Sequence, residues 1–174
     1  MNILAFAASS SSNSINKKLV TYAASLLTDA EVEIIDINDY EMPLFSEDKE
    51  KELGQPDAAK AFFNKIGAAD ALLISFAEHN GSFTAAYKNL YDWTSRIEPK
   101  VYQGKPMVML ATSPGPRGAS SVLATAKTLA PFGGGDVKAD LSLASFYDIF
   151  DTEAGLLSDP EAQAALEAAI AALN

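Results

Sequence analysis

Apolar and polar positions follow two rhythms along this chain. Strand-like runs stand at five places: Asn2–Ala8, Glu31–Ile37, Ala71–Ala77, Pro106–Thr112 and Val137–Leu143. The third and fourth runs are almost continuously apolar, which is typical of strands that are covered on both faces. Between the runs, apolar residues recur at the spacing of amphipathic helices. The predicted helices are Ile15–Leu27, Asp57–Ala69, Thr84–Arg96, Ala119–Leu129 and Asp159–Leu173, and the acidic segment around Met42–Phe45 is expected to be irregular.

Strands and helices that alternate through short loops predict an α/β fold. Right-handed βαβ units would form a parallel sheet with helices on both faces. At 174 residues the chain is expected to form one domain, 1–174. Ligands bind such sheets at the carboxyl ends of the strands, where the strand order reverses. The candidate chemistry therefore lies in the loops Ser9–Ser14, Glu78–Phe83 and Ser113–Gly118.

The first loop is rich in small hydrogen-bonding side chains and leads directly into a helix. N–H groups in the first turn of a helix have no intrahelical partners and attract anions. Ser9, Ser11, Ser14 and Asn16 add side-chain donors, so the loop suits one phosphate monoester. It has neither the GxGxxG pattern of a dinucleotide site nor the GxxxxGK[ST] pattern of a nucleoside triphosphate site. The alternative is a polar linker in which Ser14 only caps the helix.

The second loop suits a flat heterocycle. Asn80-Gly81 favours positive φ angles, which turn backbone N–H groups outward. The alternative is an ordinary turn in which Ser82 or Thr84 caps the next helix. His79 is the single histidine of the chain, and in a loop it is more typical of a surface residue than of a catalyst.

The third loop, Ser113–Gly118, is shaped by two glycines and two prolines. Gly118 and Ala119 at the start of a helix would let a flat ligand approach closely. Arg117 is a candidate anion partner, although an exposed arginine is more often solvated. A plain connection is the alternative interpretation.

Charge and composition narrow the partners. The net charge of -10, with only 13 Lys and Arg residues, argues against nucleic acid and against anionic membranes. The chain has no cysteine and no histidine cluster, so neither thiol chemistry nor a metal site is expected. The longest clean apolar run, Ala71–Ala77, is too short to span a bilayer, and the N-terminus lacks the basic region of a signal peptide. We expect a cytoplasmic location.

Several stretches match the motifs of a known family. After strand one that family reads G-S-x-R-x-x-S-x-N, and those places hold Ala8, Ser9, Ser11, Ser14 and Asn16. Its P-x-Y-N-x-S and K-N-x-x-D-W motifs appear as Ala77–Ser82 and Lys88–Trp93. Its S-x-G-x-x-G-G loop appears as Ser113–Ala119, and the late segment Phe150–Asp159 is also similar. The chain thus resembles the NADPH-dependent FMN reductases of the flavodoxin-like fold, which include quinone, azo-dye and chromate reductases.

The resemblance implies an FMN site built from the three loops. The phosphate would be held by Ser9, Ser11, Ser14, Ile15 and Asn16. The isoalloxazine ring would be lined by Glu78, His79, Asn80 and Gly81 and supported on its other side by Ser113, Gly115 and Gly118.

The chain departs from the family pattern at four places. Ser11 stands where the family has an arginine that pairs with phosphate, and Lys17, Lys18 and Arg117 are the candidates to replace that contact. Proline, tyrosine and glycine of the family motifs are replaced by Ala77, His79 and Ala119, which bears on ring stacking and substrate access.

The resemblance also implies a fold and an activity. The fold would be a three-layer sandwich with strand order 2-1-3-4-5. NADPH or NADH would reduce the flavin, and quinones, free flavin or similar acceptors would reoxidise it, in a two-electron ping-pong cycle. No catalytic side chain is expected, because flavin N5 carries the chemistry. Relatives form dimers or tetramers, so a homodimer or homotetramer is expected. Two alternatives stay open, a non-enzymatic electron carrier of the flavodoxin type and a family-like protein that binds a partner protein and no flavin.

Overall fold

A computed structural model describes residues 1–173 of the chain. Its helices and strands, in chain order, are β1 (Asn2–Ala8), α1 (Ile15–Ser25), β2 (Glu31–Ile35), α2 (Glu47–Leu53), α3 (Asp57–Ala68), β3 (Ala71–Phe76), β4 (Glu78–His79), β5 (Ser82–Phe83), α4 (Ala85–Ser95), β6 (Pro106–Thr112), α5 (Ser120–Leu129), β7 (Asp136–Leu143), α6 (Phe146–Ile149), β8 (Phe150–Asp151), β9 (Leu156–Leu157) and α7 (Pro160–Ile170). Two 3-10 helices, Ile37–Tyr40 and Ala171–Leu173, follow β2 and α7 in the chain.

Five parallel strands form the central sheet in the order β2-β1-β3-β6-β7. Because β4 and β5 form a separate hairpin, this order corresponds to the expected 2-1-3-4-5, and the predicted flavodoxin-like topology is confirmed. The strand order reverses between β1 and β3, since the chain first runs outward to β2 and then returns to the other side of β1. That position is where α/β sheets bind their ligands.

Helices cover both faces of the sheet. Side chains of β1, β3 and β6 on one face pack against α3, α4 and α5 around Phe6, Phe62 and Tyr87. The alternate side chains of the same strands pack against α1 and α7 around Leu19 and Leu166. Successive residues of a strand point to opposite faces, so a strand buried on both sides needs an almost unbroken apolar run. The almost continuous apolar runs of β3 and β6 therefore reflect burial of both faces of these strands, as the sequence pattern predicted.

The second strand is shorter than predicted. It ends at Ile35 instead of Ile37, because the Asp36 carboxylate accepts a hydrogen bond from the backbone N–H of Asn38 and starts a 3-10 turn. Beyond it, the expectation of an irregular acidic segment is wrong for Glu47–Leu53, which is helix α2. Ser46 caps this helix and Gly54 ends it at φ +68°. The sequence therefore marks α2 by its capping residues and not by a helical spacing of apolar residues.

Other differences from the prediction are small. The last strand begins at Asp136, one residue before the predicted start. Helix α7 begins after Asp159, whose carboxylate accepts the Ala162 N–H at 2.8 Å. The hairpins β4–β5 and β8–β9 have two-residue strands, too short for an alternating pattern to reveal them. Over the described residues 1–173, no helix is both long and apolar enough to cross a membrane.

Candidate functional site

Three loops meet at the carboxyl ends of β1, β3 and β6, and buried hydrogen bonds hold them together. The Thr84 hydroxyl donates to the Ala8 carbonyl at 3.0 Å and so joins the second loop to the end of β1. The Asn16 amide joins the start of α1 to β3 and β6. The Glu78 carboxylate accepts the Val122 N–H at 2.9 Å and joins the second loop to α5. The three predicted loops therefore form one continuous surface.

The first loop, residues 9–14, offers several donors at the start of α1. Ser9 and Ser14 are nearly buried, and their hydroxyl oxygens accept the N–H groups of Ser11 and Lys17 at 3.3 Å. Both hydroxyl hydrogens remain available to an anion. The Ser11 side chain is exposed, and within residues 1–173 the N–H groups of Ile15 and Asn16 have no acceptor. These donors surround the positive end of the α1 dipole.

Asn16 serves the frame of the site with its side chain. It is 2% exposed, and its Oδ1 accepts the Ser75 hydroxyl at 2.8 Å and the Thr112 N–H at 3.1 Å. Its Nδ2 donates to the Thr112 carbonyl at 3.1 Å. The side chain is thus committed to the ends of β3 and β6, and what Asn16 offers to a ligand is its backbone N–H.

A polar network fixes the outer side of the first loop. Lys17 Nζ lies 2.5 Å from Asp36 Oδ2, and Asn38 Nδ2 donates to Asp36 Oδ1 and to the Ser10 carbonyl. The hydrogen bond from Lys17 is the main cause that lowers the pKa of Asp36, and the Asn38 N–H acts in the same direction. Asp36 therefore carries a negative charge beside the loop, and Lys17 compensates it. Neither Asp36 nor Asn38 was predicted as part of the site, although the residue pair D-x-N after a strand could have indicated them.

The second loop is a tight hairpin. His79 pairs with Ser82, and the two residues between them, Asn80 and Gly81, have φ angles of +52° and +78°. That conformation is the two-residue turn that Asn-Gly favours. The N–H groups of Asn80 and Gly81 lie outside the hairpin ladder and have no backbone acceptor in residues 1–173, and the His79 side chain is exposed. Thr84, not Ser82, caps α4.

Glu78 has a role that the sequence did not reveal. Helix α5 begins after Ala119, which has φ +60° and no side-chain cap. The Glu78 carboxylate supplies the missing acceptor from a different loop, and its negative charge faces the positive end of the helix dipole. Glu78 therefore positions the second and third loops relative to each other.

The third loop is anchored on the segment after β7. The carbonyls of Ser113 and Gly115 accept the N–H groups of Phe146 and Ser145 at 3.1 and 3.0 Å. A Cβ on Gly118 would lie 2.5 Å from Ser142 Oγ, so the missing side chain serves packing against β7. Around Gly115 and Gly81, by contrast, a Cβ would meet nothing within 4 Å, so these two glycines border open space.

The K-N-x-x-D-W stretch of α4 holds down the segment before α2. Asn89 accepts the Phe45 N–H and donates to the carbonyls of Met42 and Pro43, and Trp93 Nε1 donates to the Pro43 carbonyl at 2.7 Å. The Phe45 ring packs edge-on against Trp93 at 5.1 Å. The sequence indicated Asn89 and Trp93 only as members of the K-N-x-x-D-W motif. Their specific partners lie more than 40 residues away, so no local pattern identified them.

Comparison with known proteins identifies the family of this chain. The model of the NADPH-dependent FMN reductase family matches residues 1–148. The chain belongs to this family. It is 32% identical over 164 residues to the NAD(P)H-dependent FMN reductase PA1204 of Pseudomonas aeruginosa, an alignment that covers 91% of this chain and 86% of the relative.

Two further similarities extend the family assignment. The chain is 38% identical over 105 residues to a 2-hydroxy-1,4-benzoquinone reductase of a Burkholderia species, covering 59% of this chain and 55% of that protein. In structure it is similar to FerB, a flavoenzyme NAD(P)H:(acceptor) oxidoreductase from Paracoccus denitrificans, with a TM-score of 0.82 at 23% identity. That match covers 99% of this chain and 94% of FerB and establishes the shared fold of this FMN reductase family member.

Proposed function

We propose that this protein is an FMN-dependent NAD(P)H oxidoreductase that passes electron pairs to a quinone or free flavin. The main support is the set of hydrogen-bond donors in the first loop. They lie together at the N-terminus of α1, where the strand order of the sheet reverses. The names of the aligned relatives, an FMN reductase and a benzoquinone reductase, support the class of reductant and acceptor.

The donor set fits the phosphate of FMN. A phosphate monoester has only acceptor oxygens at neutral pH, and the loop presents only donors to it: hydroxyl hydrogens of Ser9, Ser11 and Ser14 and the N–H groups of Ile15 and Asn16. The acceptor oxygens of the loop are satisfied internally, since the carbonyls of Ser10, Ser11 and Ser14 already accept hydrogen bonds. The one nearby carboxylate, Asp36, is paired with Lys17. We assign the phosphate to these residues.

The second and third loops fit the flavin ring. We assign the edge of the ring to the N–H groups of Asn80 and Gly81, with Glu78 and His79 as flanking residues. Ser113 and Gly115 form the opposite wall, where Gly115 leaves room for a planar ligand, while Gly118 holds the loop against β7. Backbone donors held in a rigid hairpin stabilise negative charge at a fixed place without reorganisation.

The protein supplies orientation and electrostatics, and FMN when bound supplies hydride acceptance and donation. No side chain is assigned a proton-transfer role. The two nearest carboxylates are already engaged, Glu78 with the Val122 N–H and Asp36 with Lys17. The reductant is NADPH or NADH. The reductant and the acceptor would bind in turn at the same open side of the flavin ring.

We also propose that the protein acts as a homodimer or homotetramer in the cytoplasm. Large apolar side chains remain exposed in residues 1–173, among them Phe132 at 78% and Tyr147 at 64%, and aromatic residues are enriched in subunit interfaces. The reductant pool that the activity requires is intracellular. Light scattering on a size-exclusion column tests the assembly, and cell fractionation tests the location.

Steady-state turnover tests the proposed activity. The purified protein is incubated with NADPH or NADH and a soluble benzoquinone, with and without added FMN. We expect NAD(P)H oxidation that requires FMN and is accelerated by the quinone. Flavin binding without any NAD(P)H oxidation would overturn the enzymatic proposal in favour of an electron carrier, and no binding of FMN would overturn the whole assignment.

A further inference from the structure

Lys18 lies in a groove beside the first loop. It is the fourth residue of α1, half-buried, and helical side chains lean toward the N-terminus of their helix. The groove has a volume of about 470 Å³ and runs from Ser12, Asn13 and Ser14 along α1 to the β8–β9 hairpin. Two lysines and no Asp or Glu line it, in a chain whose net charge is -10. The groove therefore adjoins the loop and has no carboxylate in its lining.

Lys17 also lines this groove, but its charge is already used. Its Nζ is bound to Asp36 Oδ2 at 2.5 Å, and Asp36 is fixed in turn by Asn38. Turning Lys17 toward a phosphate would leave the Asp36 carboxylate uncompensated next to the same anion. The Lys17–Asp36 pair is thus neutral as a unit and adds no net attraction for phosphate.

Arg117 is exposed on the third loop, after β6. In the sheet order, β3 separates β6 from β1, so the ends of β1 and β6 are about 10 Å apart, and Arg117 lies five residues beyond the end of β6. Arg117 therefore stands on the side assigned to the flavin ring. Within residues 1–173, Lys18 has no carboxylate within ion-pair distance, so its charge is free for an incoming ligand.

We propose that the Lys18 ammonium pairs with the phosphate of FMN and replaces the arginine whose place Ser11 occupies. This inference rests on the proposed function. The charge reaches the phosphate from the first turn of α1, from the groove side, whereas a residue at position 11 would reach it from the loop. The phosphate subsite thus keeps one cationic contact although the family motif has lost it.

Flavin binding tests this proposal without turnover. The dissociation constants of FMN and of riboflavin, which lacks the phosphate, are measured by flavin fluorescence quenching for the parent protein and for Lys18→Met. We expect Lys18→Met to weaken FMN binding about tenfold and to leave riboflavin binding unchanged. The conservative variant Lys18→Arg is expected to retain FMN affinity.

Three further variants serve as controls. Lys100→Met removes the same charge near the opposite end of the sheet, before β6, and is expected to change neither constant. Ser11→Arg added to Lys18→Met is expected to recover FMN affinity from the loop side. Arg117→Met is expected to keep the preference for FMN over riboflavin.

The outcomes separate the inference from the proposed function. If the parent prefers FMN to riboflavin and Lys18→Met keeps that preference, the Lys18 assignment is overturned while flavin binding stands. A selective loss of FMN binding in Arg117→Met, and not in Lys18→Met, would overturn it in favour of the third loop. If the parent protein binds neither flavin, the proposed function itself fails.

Discussion

Asn16 stands at the start of α1, in the motif that the family uses for phosphate, yet its side chain faces inward. It satisfies the Ser75 hydroxyl and both backbone groups of Thr112, which are 59 and 96 residues away in the chain. The sequence could place an asparagine in the loop, but it could not show that distant strands consume its amide. Ser14 differs, because its oxygen caps α1 through a local hydrogen bond that the sequence did indicate, while its hydrogen stays free.

We predict that Asn16→Ala destabilises the protein by about 3 kcal/mol in urea unfolding without FMN, because it leaves several buried polar groups without partners. Asn13→Ala is the matched control, since Asn13 is exposed in the same loop and its loss is expected to cost less than about 0.5 kcal/mol. Equal and small effects of the two substitutions would contradict the internal role of Asn16.

Each loop of the site depends on an element elsewhere in the chain. Apolar runs were enough to predict the five strands of the sheet, and strand order then places the three loops on one edge. The two hairpins were missed because their strands are two residues long, and α2 was missed because it has no buried residue to give it an apolar spacing. What holds the loops to one another, such as Glu78 on α5, is long-range and leaves no local signal.

Removal of the Glu78 cap gives a prediction for α5. Glu78→Ala leaves the Val122 N–H without its acceptor at the start of a helix that has no other side-chain cap. We expect a loss of about 1 kcal/mol in the free energy of unfolding, as for other helix caps. Glu78→Gln keeps an acceptor oxygen and should lose only a few tenths of that amount. The cap assignment is wrong if both variants are as stable as the parent in urea titrations.

The segment that precedes α2 depends on α4 in a similar way. Asn89→Ala removes three hydrogen bonds to residues 42–45 at once. We predict faster cleavage of this segment by a broad-specificity protease at low concentration, because exposed segments are cut when they detach. Asn64→Ala, an exposed asparagine of α3, is the control and should be cut at the parent rate. Unchanged cleavage of Asn89→Ala would show that other contacts hold the segment.

Across the whole molecule, the two apolar clusters lie on opposite faces of the same strands. This shared sheet supports the expectation of one domain, which stays a prediction. We expect one cooperative unfolding transition, with the fluorescence of the fully buried Trp93 and the far-ultraviolet circular dichroism changing at the same urea concentration. Trp93 reports on the α4 side alone, so separated midpoints would show that the two layers unfold independently.

The charge of the molecule limits what its surface can attract. Nine ion pairs lie among the described residues, while the cations without a carboxylate partner there are Lys18, Lys100, Lys105 and Arg117. Two of these four, Lys18 and Arg117, stand at the carboxyl edge of the sheet. A chain of net charge -10 therefore keeps free positive charge at the edge where a phosphorylated cofactor is proposed to bind. Binding of an anionic cofactor is therefore proposed to depend on hydrogen-bond donors and cations at this edge, and not on the negative net charge of the whole molecule.

The central claim is that electrons pass from NAD(P)H to an acceptor through FMN held in the three loops. Anaerobic mixing of the FMN-loaded protein with NADPH or NADH, followed by flavin absorbance, tests it most directly. We predict that the yellow absorbance band of FMN is lost with one of the two reductants and returns when a quinone is added. An absorbance band that persists with both reductants, in protein shown to bind FMN, would contradict electron transfer from NAD(P)H to the bound flavin.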